Sequence, residues 1–158
     1  MALGRARLAA TPAGMKLDER IAKAAQPVLK AGEAIEACTM CTFGAVEMKK
    51  VELATAVLLA IATAGAMTIY AVPTMVHLVL TNRRLLVLGQ DWAGNPKSAI
   101  TMEVPRAEIR ATPTKAGLTW LAYNITDKDG TAFALVRFAF PSRKAGRQIA
   151  VALGAPVA

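Results

Sequence analysis

Cysteine, histidine and aromatic side chains are all scarce in this chain, and each shortage removes a class of function. The 158 residues include two cysteines, one histidine and only 5% aromatics. Two cysteines cannot build a disulfide framework, which agrees with a reducing compartment. They stand as Cys38 and Cys41, a Cys-x-x-Cys spacing. No second pair follows, and the single histidine, His77, lies far along the chain, so a four-ligand zinc site within one chain is not available. A redox use would require the pair at the start of a helix in a βαβ setting, which the surrounding pattern does not offer. Both thiols therefore read as small buried hydrophobes, and no metal or cofactor is expected. Few aromatics also leave no large stacking platform for nucleic-acid bases.

Catalytic groupings are missing as well. No Ser or Cys nucleophile stands with a histidine base, no paired carboxylates occur at a recognisable spacing, and Gly89 and Gly94 read as loop residues rather than a phosphate cradle. An enzyme is not expected. There is no block of five or more basic residues, although 19 Lys and Arg against 11 Asp and Glu give a net charge of +8. That balance favours an acidic partner, and its scatter disfavours nucleic acid, leaving an anionic lipid surface or a protein partner. Near the N-terminus Arg5 and Arg7 are followed only by Leu8, Ala9 and Ala10 before Pro12, too short for a secretory apolar region, so a cytoplasmic protein is expected, with membrane association left open.

What the chain does have is one long uncharged run, the 30 residues 53–82, flanked by Lys49, Lys50 and Glu52 and by Arg83 and Arg84. Pro73 divides it, because proline lacks an N–H and pushes the preceding residue out of the helical region. As a helix, 53–72 would be roughly 30 Å long, enough for the hydrocarbon of a bilayer. Its content argues the other way: seven alanines, three threonines, Gly65 and Tyr70 dilute the few strongly apolar side chains. Basic pairs on both flanks give no orientation.

Around this run the pattern predicts short elements. Residues 1–15 read as a flexible basic arm. An amphipathic helix is expected from Lys16, with Leu17, Ile21, Ala24 and Val28 on one side and Asp18 and Glu19 in its first turn; Pro27 shortens it and Gly32 ends it. A strand is expected over 33–42, with Ala34, Glu36, Cys38 and Met40 facing one way and Ile35, Ala37, Thr39 and Cys41 the other. A hairpin follows, with strands over 75–80 and 85–88 joined by Thr81, Asn82, Arg83 and Arg84. Then come a loop over 89–98, strands over 100–104 and 107–111, and a second hairpin, 118–126 and 132–140, around the Asp127 to Gly130 turn. In that hairpin Val136, Phe138 and Phe140 form the expected core side with Trp120 as neighbour. Ser142 is an expected N-cap for a closing helix over 143–153 that buries Ala145, Ile149, Ala152 and Leu153 and leaves Arg143, Lys144 and Arg147 in water. Gly154 and Pro156 stop it before a tail at 155–158.

The stretch Val76-His-Leu-Val-Leu-Thr-Asn-Arg-Arg-Leu-Leu-Val-Leu resembles the strand, Thr-Asp/Asn-Arg-Arg, strand hairpin of bacterial pleckstrin-homology-like and GRAM-like domains. The entry Pro27, Leu29, Gly32, Glu33 is similar to the lead into their first strand. So are Val104-Pro105-Arg106-Ala107-Glu108-Ile109 and the last hairpin followed by a helix. The resemblance spans 16–153, interrupted by the apolar run. It implies an α+β fold: a strongly bent antiparallel sheet, or partly open barrel, of about seven strands capped by a C-terminal helix. The N-terminal helix and a helical apolar insert at 51–73 would be additions to one domain over 16–154. It also implies a non-catalytic module that binds lipids, peptides or proteins. Arg83 and Arg84 then have two readings, solvated turn residues or, with Lys49 and Lys50, an anionic-surface contact.

Topology constrains the insert. A single crossing by 53–72 would put the strand before it and the strands after it on opposite sides of a membrane, and one barrel could not hold both. The expectation is therefore an excursion that packs on the barrel, lies at a membrane surface or forms a contact between copies. The alternative is a single-pass membrane protein with a basic soluble C-terminal domain.

Overall fold

A computed structural model of the chain describes residues 15–45, 74–114 and 117–157. The insert expected over 51–73, with Lys49 and Lys50, and residues 1–14 of the arm lie outside the described residues. Helix α1 (Leu17–Ala25) precedes seven strands, β1 (Ile35–Ala45), β2 (Thr74–Thr81), β3 (Arg84–Gln90), β4 (Pro96–Pro105), β5 (Ile109–Pro113), β6 (Trp120–Asp127) and β7 (Ala132–Ala139), and helix α2 (Arg143–Ala152) follows them. The strands form one antiparallel sheet in the order β4-β3-β2-β1-β7-β6-β5. It is not closed, since β4 and β5 form no ladder with each other.

Two meanders, β1 to β4 and β5 to β7, meet at β1. Its residues Ile35 to Phe43 pair with β2, and Thr42 to Ala45 pair with β7, so Thr42 and Phe43 have strand neighbours on both sides. β1 and β2 share a ladder, with Phe43 opposite Thr74. No helix among the described residues is long and apolar enough to cross a membrane.

Both faces of this sheet are covered. On one face α2 closes a core that includes Cys41, Phe43, Leu78, Leu85, Val87, Val136 and Phe138. On the other, α1 packs Ile21 and Ala25 over Cys38, Val79, Leu86 and Leu88. Full burial of a side chain such as Ile21 contributes about 1.5–3 kcal/mol. Double coverage explains why β2 and β3 read as nearly unbroken apolar runs rather than as alternating ones. Cys38 and Cys41 lie on opposite faces, as strand geometry requires of residues three apart. Burial raises the Cys38 thiol to about 11 and pushes Cys41 further in the same direction.

Several expectations shift in detail. A bulge between Ile35 and Ala37 turns Ile35 onto the α1 face, away from Ala37. β3 and β4 run further than expected, reducing the loop over 89–98 to residues 91–95. The strand expected over 107–111 begins at Ile109, after a 3₁₀ turn at Arg106–Glu108. Phe140 leaves the core: Pro141 bends the chain into a 3₁₀ turn, Phe140–Ser142, and the ring is 73% exposed. Trp120 faces the opposite side from Phe138, with the Arg137 guanidinium 5.3 Å from its ring centre, and Leu121 and Tyr123 take its expected place in the core.

Ser142 makes no capping hydrogen bond, and the buried stripe of α2 is Gly146, Ile149, Ala150 and Leu153 rather than one through Ala145 and Ala152. The rotation follows from close packing. A Cβ at Gly146 would lie 2.3 Å from Cγ of Phe138, whose ring is 2% exposed and has nowhere to move. Gly146→Ala therefore lowers the thermal midpoint, because overpacking costing about 1–3 kcal/mol outweighs the helix-propensity gain of at most about 1 kcal/mol. Thermal unfolding followed by circular dichroism measures it, and an unchanged or raised midpoint contradicts this packing.

Candidate functional site

The segment before β1, the β2–β3 hairpin and the turn after β4 meet in one polar network. Thr81 and Asn82 tie the hairpin to the segment before β1: the Thr81 hydroxyl donates to a Glu33 carboxylate oxygen at 2.7 Å, and Asn82 Oδ1 accepts from the Ala34 N–H at 3.0 Å. Arg84 forks onto Glu33, Nε to Oε1 and Nη2 to Oε2 both at 2.8 Å, while Nη2 also reaches the Val28 carbonyl at 2.8 Å. Its Nη1 donates to Glu103 on β4. Arg106, in the turn after β4, donates to Glu36 at 2.7 Å and to the Ala152 carbonyl of α2 at 3.1 Å.

Arg84 is thus not a solvated turn residue; it is 6% exposed and its donors face protein oxygens. Arg83 remains exposed. Both stand at the far end of β2 and β3 from Ala45 and Thr74, about 25 Å away along an eight-residue strand.

The Arg84 hydrogen bonds hold the Glu33 carboxyl at about 2, against an ordinary 4.5, despite the opposing effect of burial. Removing one partner of a buried pair strands the other, at a cost of about 3–5 kcal/mol. Arg84→Met should therefore lower stability by about that amount near pH 7 in urea unfolding. The linkage sign follows from the depressed carboxyl: the stability it contributes is fully present above pH 4.5 and is lost as pH falls towards about 2. The gap between wild type and Arg84→Met should accordingly narrow between pH 6 and pH 3, and a gap that widens on acidification rules out this assignment.

A second arrangement lies at the opposite end of β2 and β3. Residues 91–95 join β3 to β4 in a turn closed by Asp91, whose Oδ1 accepts from the N–H groups of Ala93 and Asn95, both at 2.8 Å. Its Oδ2 accepts from Asn95 Nδ2 at 3.0 Å, and these bonds to Asn95 hold the Asp91 carboxyl below its usual range. Gly94, at φ +80°, completes the turn, and its carbonyl lies 3.2 Å from Nε2 of the buried His77. Burial pushes His77 below its ordinary 6.5, so the ring is neutral near pH 7 and Nε2 is the donor. Arg20 of α1 donates to Asn95 Oδ1. Trp92, at the tip of this pinned turn, is 100% exposed.

The turn at 127–131 is built alike: Asp127 Oδ1 accepts from the N–H groups of Asp129 and Thr131, both at 2.9 Å, and Gly130 has φ +88°. It carries Lys128 and Asp129 at its tip, so the geometry does not depend on an aromatic there. An Asp-x-x-Gly spacing shared by Asp91 and Asp127 is the sequence signal that marks both turns. Pairing of His77 with Leu88 and of Phe43 with Thr74 places the Trp92 turn beside the ends of β1 and β2 where the chain leaves at Ala45 and returns at Thr74. Arg20, Lys23, Asn95 and Pro96 line a depression of about 420 Å³ next to it, and Lys97 faces Asp91. Among the described residues no three His, Cys, Asp or Glu side chains are grouped to hold a metal ion.

No protein-family model matches this chain, and no curated protein matches it.

Proposed function

We propose that this protein is a non-catalytic module of the pleckstrin-homology-like type that meets an anionic membrane surface through the end of its sheet carrying Trp92. One observation carries the reading: a wholly exposed tryptophan sits on a turn whose polar groups are pinned by Asp91, His77 and Arg20. Tryptophan is favoured at membrane interfaces, where its apolar ring and polar N–H are both accommodated, and a pinned turn loses little conformational freedom on docking. Arg20, Lys23 and Lys97 surround the turn and complement an anionic surface, at about 1 kcal/mol per cation close to it. The uncharged run of the sequence enters the sheet at Thr74, beside the same turn. Two meanders joined through the first strand and closed by a C-terminal helix support the pleckstrin-homology-like assignment.

Co-sedimentation of the full chain with vesicles of phosphatidylcholine and phosphatidylserine at 70:30, against phosphatidylcholine alone, tests the reading. Binding should require the anionic lipid and weaken with salt, and Trp92→Ala should weaken it roughly tenfold, about 1.4 kcal/mol. Equal binding by wild type and Trp92→Ala, or no preference for the anionic vesicles, would falsify it.

A further inference from the structure

α2 uses one side against the sheet and leaves the other open. With Gly146, Ile149 and Leu153 turned inward, Arg143, Lys144 and Arg147 project from the outer side, and none of the three forms an ion pair among the described residues. Arg143 instead donates to the Leu118 carbonyl at 3.3 Å. Together with Phe140, Val151 and Val157 these cations line a groove of about 760 Å³ with no acidic side chain among the described residues that line it. Large apolar side chains stand open around it: Phe140 is 73% exposed, Val157 81% and Leu118 98%. Uncompensated cations next to open aromatic and aliphatic side chains form a surface that gains by being covered.

We propose that this groove docks an acidic amphipathic helix of a protein partner. Charge complementarity selects an acidic occupant, and shape selects a rod. The lining residues follow α2 from Arg143 to Ala152, a strip along which a helix about 10 Å across can lie. Backbone bonding selects a helix over an extended peptide. The floor supplies Gln148 as its one neutral polar side chain, too little for the unpaired N–H and C=O groups of a strand, while a helix satisfies its own. The ten residues of α2 extend about 15 Å, which matches two to three turns of a partner with apolar anchors at i, i+3 or i+4 and i+7 and carboxylates on either side. The groove adjoins the end of β7, whereas the Trp92 turn follows β3, three strands away across β2 and β1 and level with the middle of β7, so the two surfaces are separate.

The test selects a phage-displayed library of random 16-residue peptides on the full-length protein and measures enriched peptides by fluorescence anisotropy. Enriched sequences should be net acidic with helical apolar spacing, and Arg143→Glu/Arg147→Glu should weaken them at least tenfold while retaining the wild-type circular dichroism spectrum. The charge-matched Lys23→Glu/Lys97→Glu variant should bind them as wild type does, which separates this groove from a general effect of net charge. Trp92→Ala should also keep full peptide affinity, so the outcome stands apart from that of the vesicle experiment. The proposal is overturned by an absence of enrichment, by enriched peptides without acidic bias, or by undiminished binding to Arg143→Glu/Arg147→Glu. It is equally overturned if that variant loses the phosphatidylserine vesicles while Trp92→Ala keeps them, which would give the α2 face to the membrane.

Discussion

β1 is hydrogen-bonded on both sides at Thr42 and Phe43, and every other feature of the architecture follows from that shared ladder. A strand that serves two meanders must be long, 11 residues here, with β2 along one edge and β7 along the other. α2 closes one face of the sheet, where Gly146 lets it approach the Phe138 ring. The same ladder fixes which loops share an end of the sheet. Ala45, Thr74 and the Trp92 turn are brought together by strand register alone, across gaps of many residues in sequence.

The other face is sealed by different means. α1 supplies Ile21 and Ala25, and the segment after it is drawn onto the sheet by the fork from Arg84 to Glu33 and by the Asn82 contact to Ala34. An ion pair with the Glu33 side chain at 0% exposure and Arg84 at 7% is justified less by net stability than by register, since any other placement of the hairpin would strand two charges. Arg106 extends this bonding to Ala152 of α2, so the segment between α1 and β1, the β1 to β4 meander and α2 share one polar network.

Against that rigid background the two open surfaces differ in kind. The Trp92 turn is pinned by His77, whereas the α2 face is basic and bordered by exposed apolar side chains. The proposed lipid contact uses the first and the proposed protein contact the second. The bonds that hold the turn and the packing that orients α2 are independent of one another.

Much of the scaffold was legible in the residues. Breaks at Pro105 and Pro141, the Asp-Gly turn at 127–131 and the stripe through Leu17 and Ile21 located the elements, because turn chemistry and helical periodicity are local. Thr81 to Arg84 were read as hairpin chemistry, and half of that holds: the Thr81 oxygen does accept from the Arg84 N–H at 2.9 Å. The other half, Arg84 clasping Glu33 from 51 residues away, leaves no local trace. Phe140 and Trp120 were misplaced for the same reason, since alternation continued past the point where Pro141 turned the chain, and only the sheet shows which face is occupied. Sequence alone determined roughly which segments form strands and helices and how basic the chain is, since these depend on composition and on neighbours a few bonds away. Which arginine is buried, which tryptophan is displayed and which side of α2 stays open were decided only by tertiary structure, because burial is a property of partners that folding brings together.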